Sequence, residues 1–198
     1  MKTKVIVVML LAVLGLNVVN ANELYLDVDV TTGDIDITQT GDGNKIGTDA
    51  QSPFVLNGSS HTVSIEQIGD NNTLTGTVTG SSVALTNSVT GSGNTQSITC
   101  ADCSGATITN TIVGSTNTTT QALGGGAGQT SILSITGSGN TVSHTIGDDA
   151  GGSSGNITVS GSTNNITLNQ IGTPVLPHQA VINATGTGIN LSINQSTP

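Results

Sequence analysis

Along most of this chain apolar and hydroxyl-bearing residues alternate, in short runs broken by bends. Around Gly69-Asp-Asn-Asn72 the flanks read S-I-E-Q-I and T-L-T-G-T-V-T, with Ile65 on one side and Leu74, Gly76 and Val78 on the other set between polar residues. A period of two is the mark of a strand with one buried face, because successive side chains point to opposite sides of a sheet. When the runs are aligned on their bends, one series precedes each bend: Ile35, Ile37, Gln39; Val63, Ile65, Gln67; Leu85, Asn87, Val89; Ile108, Asn110, Ile112; Ser131, Leu133, Ile135; Gly155, Ile157, Val159. A second series follows: Leu74, Gly76, Val78; Gln96, Ile98, Cys100; Thr119, Gln121, Leu123; Val142, His144, Ile146; Ile166, Leu168, Gln170. The interleaved positions are mostly Thr and Ser.

The bends are themselves a repeat. Gly-x-x-Asn occurs at Gly41/Asn44, Gly69/Asn72, Gly91/Asn94, Gly114/Asn117, Gly137/Asn140 and Gly161/Asn164, and the steps between the glycines are 28, 22, 23, 23 and 24 positions. Thr90-Gly-Ser-Gly-Asn-Thr95 returns letter for letter as Thr136-Gly-Ser-Gly-Asn-Thr141, and Gly114-Ser-Thr-Asn117 as Gly161-Ser-Thr-Asn164. A seventh copy places Ala180, Ile182 and Ala184 before Gly186, with Ile189 in the Asn position ahead of Leu191, Ile193 and Gln195. Even spacing of this kind signals a repeat architecture.

One strand-bend-strand unit cannot bury its apolar face alone, whereas stacked units share a core between two sheets. The expected fold is therefore all-β, a β-solenoid of about seven two-strand rungs in repeats of 22–24 residues, spanning 35–198. Length variation falls in the opposite bends, where loops absorb insertions. Residues 1–21 read as a secretory signal peptide: Lys2 and Lys4, the apolar run Val5 to Leu16, and a small-residue cleavage site at Val19-Asn20-Ala21. The apolar run is shorter than the roughly 20 residues of a spanning helix. Residues 22–34 form an acidic N-terminal segment.

Charge sharpens this reading. The chain holds three basic and twelve acidic residues for a net charge of −9, and loss of the leader would leave Lys45 as the one basic residue. Phosphate backbones are repelled by such a chain, so nucleic acid is not an expected partner. With no Trp, one Tyr and one Phe, a core built on aromatic anchors is excluded.

With its bends laid out, the chain resembles the curlin repeat family, whose units read as an apolar strand, Gln-x-Gly-x-x-Asn and a second strand. Gln39-Thr-Gly41-Asp-Gly-Asn44 and Gln67-Ile-Gly69-Asp-Asn-Asn72 match that core in full, and the other four bends keep Gly and Asn but carry Val or Ile in place of Gln. The resemblance implies a secreted subunit that assembles with copies of itself into extracellular amyloid fibres of a biofilm, at the cell surface. It also implies a nucleator subunit and an outer-membrane secretion apparatus as partners. The glycine-rich secretion leader of the major subunit is missing here, and the Gln positions are sparse.

Other candidate chemistry is thin. Cys100-Ala-Asp-Cys103 has no second pair or adjacent helix, so a disulfide is the expected fate after export, ahead of metal or redox work. His61, His144 and His178 fall in different repeats with no nucleophile or acid at a recognisable spacing, and His144 falls on the inward series. Gly41-Asp-Gly-Asn44 and Gly147-Asp-Asp149 do not repeat as calcium-solenoid units, and Gly124 to Gly128 lacks the Lys-Ser/Thr of a phosphate loop. Asn-x-Ser/Thr triplets such as Asn156-Ile-Thr158 matter only in a glycosylating host. No cofactor, metal or catalytic residue is expected, and an enzyme is the least favoured class. The alternative to a fibre subunit is a non-polymerising surface-binding solenoid, either an adhesin or a protein whose Ser/Thr rows, including Thr75, Thr120 and Thr145, adsorb ice or a carbohydrate.

Overall fold

The computed structural model describes residues 4–9, 22–27, 33–49, 51–55, 57, 60–79, 82–100, 105–124, 128–147, 152–171 and 178–196. Its secondary structure is all β, wound as a solenoid of about six turns through seven stacked rungs, as the alternating pattern predicts. The first strands of the rungs are Gly33–Thr40, His61–Ile68, Val89–Thr90, Thr107–Val113, Thr130–Thr136, Ser154–Ser162 and Gln179–Thr187. These form one parallel sheet. The second strands, Lys45–Ile46, Thr73–Leu74, Thr95–Cys100, Thr118–Leu123, Thr141–Ile146, Asn165–Ile171 and Asn190–Ser196, form the other.

Register is kept by composition. Ile112 pairs with Ile135, Ile135 with Val159 and Val159 with Ala184. A slip of one residue would turn every apolar side chain out to solvent. Alternation in burial follows the sequence pattern: Thr107–Val113 and Thr130–Thr136 both bury every second residue. Each fully buried Ile or Leu in these columns contributes about 1.5–3 kcal/mol of burial free energy.

Among the described residues three extra strands lie ahead of the first rung, one of which, Leu26–Asp27, pairs in parallel with Phe54–Val55. Glu23–Leu24 pairs in parallel with Lys45–Ile46, and Lys4–Met9, inside the segment expected to leave on export, runs in parallel along Gly33–Thr40.

The 28-residue step between the first two bends is an insertion with a purpose in packing. Between Lys45–Ile46 and His61–Ile68 the chain makes an antiparallel bridge, Asp49 to Ser52, and sends Phe54 into the core, where it is fully buried. Gly76 lies where a Cβ would run into Phe54, so the small residue in this inward column makes room for the chain's single Phe. Regular pairing is consequently shorter here than the alternation predicts, at Thr73–Leu74 and Val89–Thr90 only. Thr77 and Ser82, at φ of 75° and 60°, leave the extended region, while Val78, Val83, Leu85 and Asn87 keep pointing inward.

The interior is two apolar clusters, not one. The first holds Ile35, Ile65, Leu74, Ile98, Ile108 and Leu123, and the second Val89, Ile112, Leu133, Ile157, Ile166 and Leu168. Buried polar residues run obliquely through the stack. Gln96 sits beside the bend in the third rung, Asn110 and Gln121 lie at mid-rung in the fourth, and Gln170 lies far from the bend in the sixth.

Candidate functional site

The six Gly-x-x-Asn bends stack into one edge of the solenoid. Their glycines have φ between 102° and 133°, a conformation L side chains rarely adopt, and a Cβ on any of them would strike the carbonyl of the glycine one rung on. The residue before each Asn is also left-handed. Gly43, Gly93 and Gly139 take that position without strain, whereas Asn71, Thr116 and Thr163 take it at φ of 57°, 56° and 55°. The two threonines, branched at Cβ, are held there with local hydrogen bonds of 2.7 Å to the carbonyls of Ser115 and Ser162.

Between the bends runs an unbroken amide ladder. Asn72 donates through its backbone N and its Nδ2 to Asn44 Oδ1, each at 3.0 Å, and through Nδ2 to the Gly91 carbonyl at 2.7 Å. Asn94, Asn117, Asn140 and Asn164 repeat all three contacts, and each is at most 1% exposed. Every polar atom of these amides is thereby satisfied in a dry interior, which is the condition for burying them at all.

Asn22 extends the ladder backwards and was missed in the sequence. Its Oδ1 accepts from Asn44 N at 2.9 Å, though no glycine bend precedes it. The signal was Asn22 followed by Leu24 and Leu26 at alternate positions. At the other end Ile189 N donates to Asn164 Oδ1 at 2.9 Å, and Ile189 has no amide to continue the series.

Gln39 and Gln67 point inward and bond to one another, Gln67 Nε2 to Gln39 Oε1 at 3.2 Å. Gln96 sits on the opposite sheet and neither atom of its amide has a protein partner.

The structure places Ser131 beside His144, which the spacing of 13 residues had not suggested. The Ser131 hydroxyl lies 2.6 Å from Nδ1, and Nε2 lies 2.8 Å from Gln170 Oε1. A serine and an imidazole in contact are the elements of a nucleophile and its base. Here both are fully buried and Nε2 is already engaged, so a substrate has no path to the pair. Burial pushes the His144 pKa down, partly opposed by the bond to Gln170.

The remaining candidates stay apart. Cys100 is fully buried and disulfide-bonded, and Cys103 lies outside the described residues. In the first two bends Asp70 Oδ1 accepts from Asp42 N at 2.8 Å, so this loop's acid is used within the stack. Asp148 and Asp149 lie outside the described residues, as do Gly125 to Ala127. Among the described residues no three His, Cys, Asp or Glu side chains cluster to hold a metal. Lys45 pairs with Glu23 at 2.8 Å, and that hydrogen bond and charge hold its ammonium above the usual lysine range.

Beyond the Lys45–Glu23 pair at its start, the outward face of the second sheet is uniform. By register, Thr73, Thr95, Thr118 and Thr141 form one column continued by Asn165 and Asn190, and Thr75, Ser97, Thr120, Ser143, Thr167 and Ser192 form the next. The first sheet's outer face differs, with Asp34 and Asp36 at its start and exposed Ile68, Val113 and Val181 along it.

The terminal rung shows its lower side to solvent. Among the described residues its strands pair only with the sixth rung, and the inward-facing Ala180, Ile189, Leu191 and Ile193 are half-buried. Compared with known protein families, curated proteins and solved structures, the chain matches none of them.

Proposed function

We propose that this chain is a secreted structural subunit that self-assembles, rung upon rung, into extracellular fibres of the curlin type. The observation that carries the reading is the terminal rung, Gln179–Thr187 with Asn190–Ser196. It is a long, uncharged pair of strands with a half-buried apolar interior and backbone groups paired on one side. An edge of that kind templates another strand unless charge, proline or a covering loop blocks it, and this one carries neither charge nor proline.

The natural occupant is a second copy presenting its N-terminal rungs, because its Gly33–Thr40 strand is within one residue of Gln179–Thr187 in length and carries the same alternating inward pattern. Stacked amides would then recur along the fibre axis, with a break at Ile189 of each copy. In this reading activity resides in strand stacking and not in catalysis. The partners are further copies, with a nucleator subunit and an outer-membrane secretion apparatus as the resemblance implies, and the site of action is the cell surface.

The test is the leaderless protein, residues 22–198, examined with thioflavin fluorescence, electron microscopy and fibre diffraction. Seeded fibres with a spacing of about 4.8 Å along the axis are expected. Protein that stays monomeric at high concentration for days overturns the proposal.

A second reading rests on the hydroxyl columns of the second sheet, whose face, uncharged beyond the Lys45–Glu23 pair at its start, suits adsorption to ice or a neutral carbohydrate. Thermal hysteresis lost on replacing Thr75, Thr120 and Thr145 together would favour it over the fibre.

A further inference from the structure

A single string of hydrogen bonds crosses the last four rungs, and His144 is its centre. Gln121 Nε2 donates to Ser131 Oγ at 2.9 Å, and the Ser131 hydroxyl donates to His144 Nδ1 at 2.6 Å. His144 Nε2 donates to Gln170 Oε1 at 2.8 Å, and Gln170 Nε2 donates to Gln195 Oε1 at 3.0 Å. Gln195 Nε2 ends the string on the Gln179 carbonyl at 3.4 Å. The order fixes the tautomer. Gln170 uses its amino group on Gln195 and on the Ser154 carbonyl, so its oxygen must receive the imidazole N–H and Nδ1 must be the acceptor.

A proton from solvent added to Nδ1 reverses that end of the string. Two donors then face each other across 2.6 Å, and Ser131 must turn its hydrogen away while still accepting from Gln121. Among the described residues no opposite charge is at hand to compensate. The imidazole is packed by Gln121 and Ser131, by Gly155 and Leu168, and by Gln170. None of these ionises. Among the described residues from 105 to 196 there is no Asp, Glu, Lys or Arg at all, and the other titratable group is His178, in the approach to the seventh rung. Asp148 and Asp149, in the bend after Ile146, lie outside the described residues. An uncompensated charge in a buried core is disfavoured and forces the core to open.

We propose that the string from Gln121 to Gln195 is an acid-released latch: protonation of His144 unseats the fifth, sixth and seventh rungs while the first rungs stay folded. The apolar interior is also divided in two: Leu133, Ile157, Ile166, Leu168 and Ile182 belong to a cluster separate from that of Ile35, Ile65 and Leu74, and the two interleave through the third to fifth rungs, where Ile146 belongs to the first and Val89 and Ile112 to the second. The latch acts within one molecule and does not depend on fibre formation. If the terminal rung is the growing edge, acid would withdraw it.

Proton binding is weaker in the folded chain than in the unfolded one, because burial lowers the His144 pKa from its ordinary 6.5. Stability from this site is therefore complete above pH 6.5, is lost as the pH falls toward the lowered folded value, and levels off below it.

The test is thermal unfolding of the dilute, monomeric full chain between pH 7.5 and 5, for the wild type and for His144→Gln, His61→Gln and His178→Gln. The wild type and the two control variants lose stability across this range, while His144→Gln holds nearly constant. A His144→Gln variant that tracks the wild type overturns the latch. Amide exchange on the wild type gives an independent reading should that variant fail to fold. After correction for intrinsic rates, residues 130–196 are expected to lose protection by roughly ten-fold across the same pH range, with residues 33–79 unchanged. Equal loss at both ends, or none, overturns it.

Discussion

Gly155 and His144 occupy one space. They face each other across the thin interior, and a Cβ on residue 155 would overlap the imidazole ring. Gly155 carries no φ constraint, so its small size serves the histidine and not the backbone. Gly155→Ala is expected to lower stability by about 1–3 kcal/mol in urea unfolding, the usual cost of overpacking a filled core. Gly147→Ala is the control. Its Cβ would meet only ordinary contacts at 3.6–3.7 Å, and a change within about 0.5 kcal/mol is expected.

Asn117 takes part in five contacts of the ladder, three as donor and two as acceptor to Asn140. Asn117→Ala strands the buried Asn140 backbone N and leaves the Gly137 carbonyl one partner short. Each unsatisfied buried group costs about 1–3 kcal/mol, so a loss of roughly 3 kcal/mol or more is expected by denaturant titration. A loss below about 1 kcal/mol would mean the ladder is decoration on the bends.

The strained threonines point the other way. Thr116→Gly and Thr163→Gly put at the third bend position the residue that Gly93 and Gly139 already supply. Each is expected to raise stability by about 0.5–1 kcal/mol, the left-handed strain of 1–2 kcal/mol less glycine's entropic cost. Glycine at Gly161 itself cannot be exchanged in return. Gly161→Ala would strike the Gly186 carbonyl and is expected to disrupt the last rung.

Gln96 and Gln170 give opposite expectations for the same substitution. Gln96 has both amide atoms buried without a protein partner, so Gln96→Leu is expected to be neutral or stabilising by about 1 kcal/mol. Gln170→Leu removes the acceptor of His144 Nε2 and the donor to Gln195, and is expected to cost about 2 kcal/mol or more. Melting temperatures of the two variants side by side decide it.

Ile189 stops the ladder, and Ile189→Asn would resume it. In the assembly reading, a terminal rung with Asn at this position offers an Oδ1 to the next copy and is expected to shorten the lag of fibre growth several-fold. An unchanged or longer lag would show that the ladder has no part in joining copies.

Much of this fold was legible because one constraint repeats. The Gly-x-x-Asn bends name the places where φ turns positive, and the period of two names the inward columns, so Ile35, Leu133 and Val159 could be placed without coordinates. What escaped notice depends on contacts that cross between repeats. Phe54 fills the gap above Gly76 from an insertion that obeys no period. Ser131 meets His144 from the opposite sheet, and sequence spacing carries no trace of which inward residues face one another. Asn22 was overlooked because the backbone before it lacks the glycine used to recognise its sisters, although it performs the same bond.

The missing amide at Ile189 also has a mechanical meaning. Were copies to stack end on end, each chain would contribute a segment about 34 Å long at roughly 4.8 Å per rung, and the Asn series would lapse once per segment. Such a filament is perforated at regular intervals. Shear would part it between chains and not through them, so its fragments would be whole subunits in number, each with two fresh ends ready to grow.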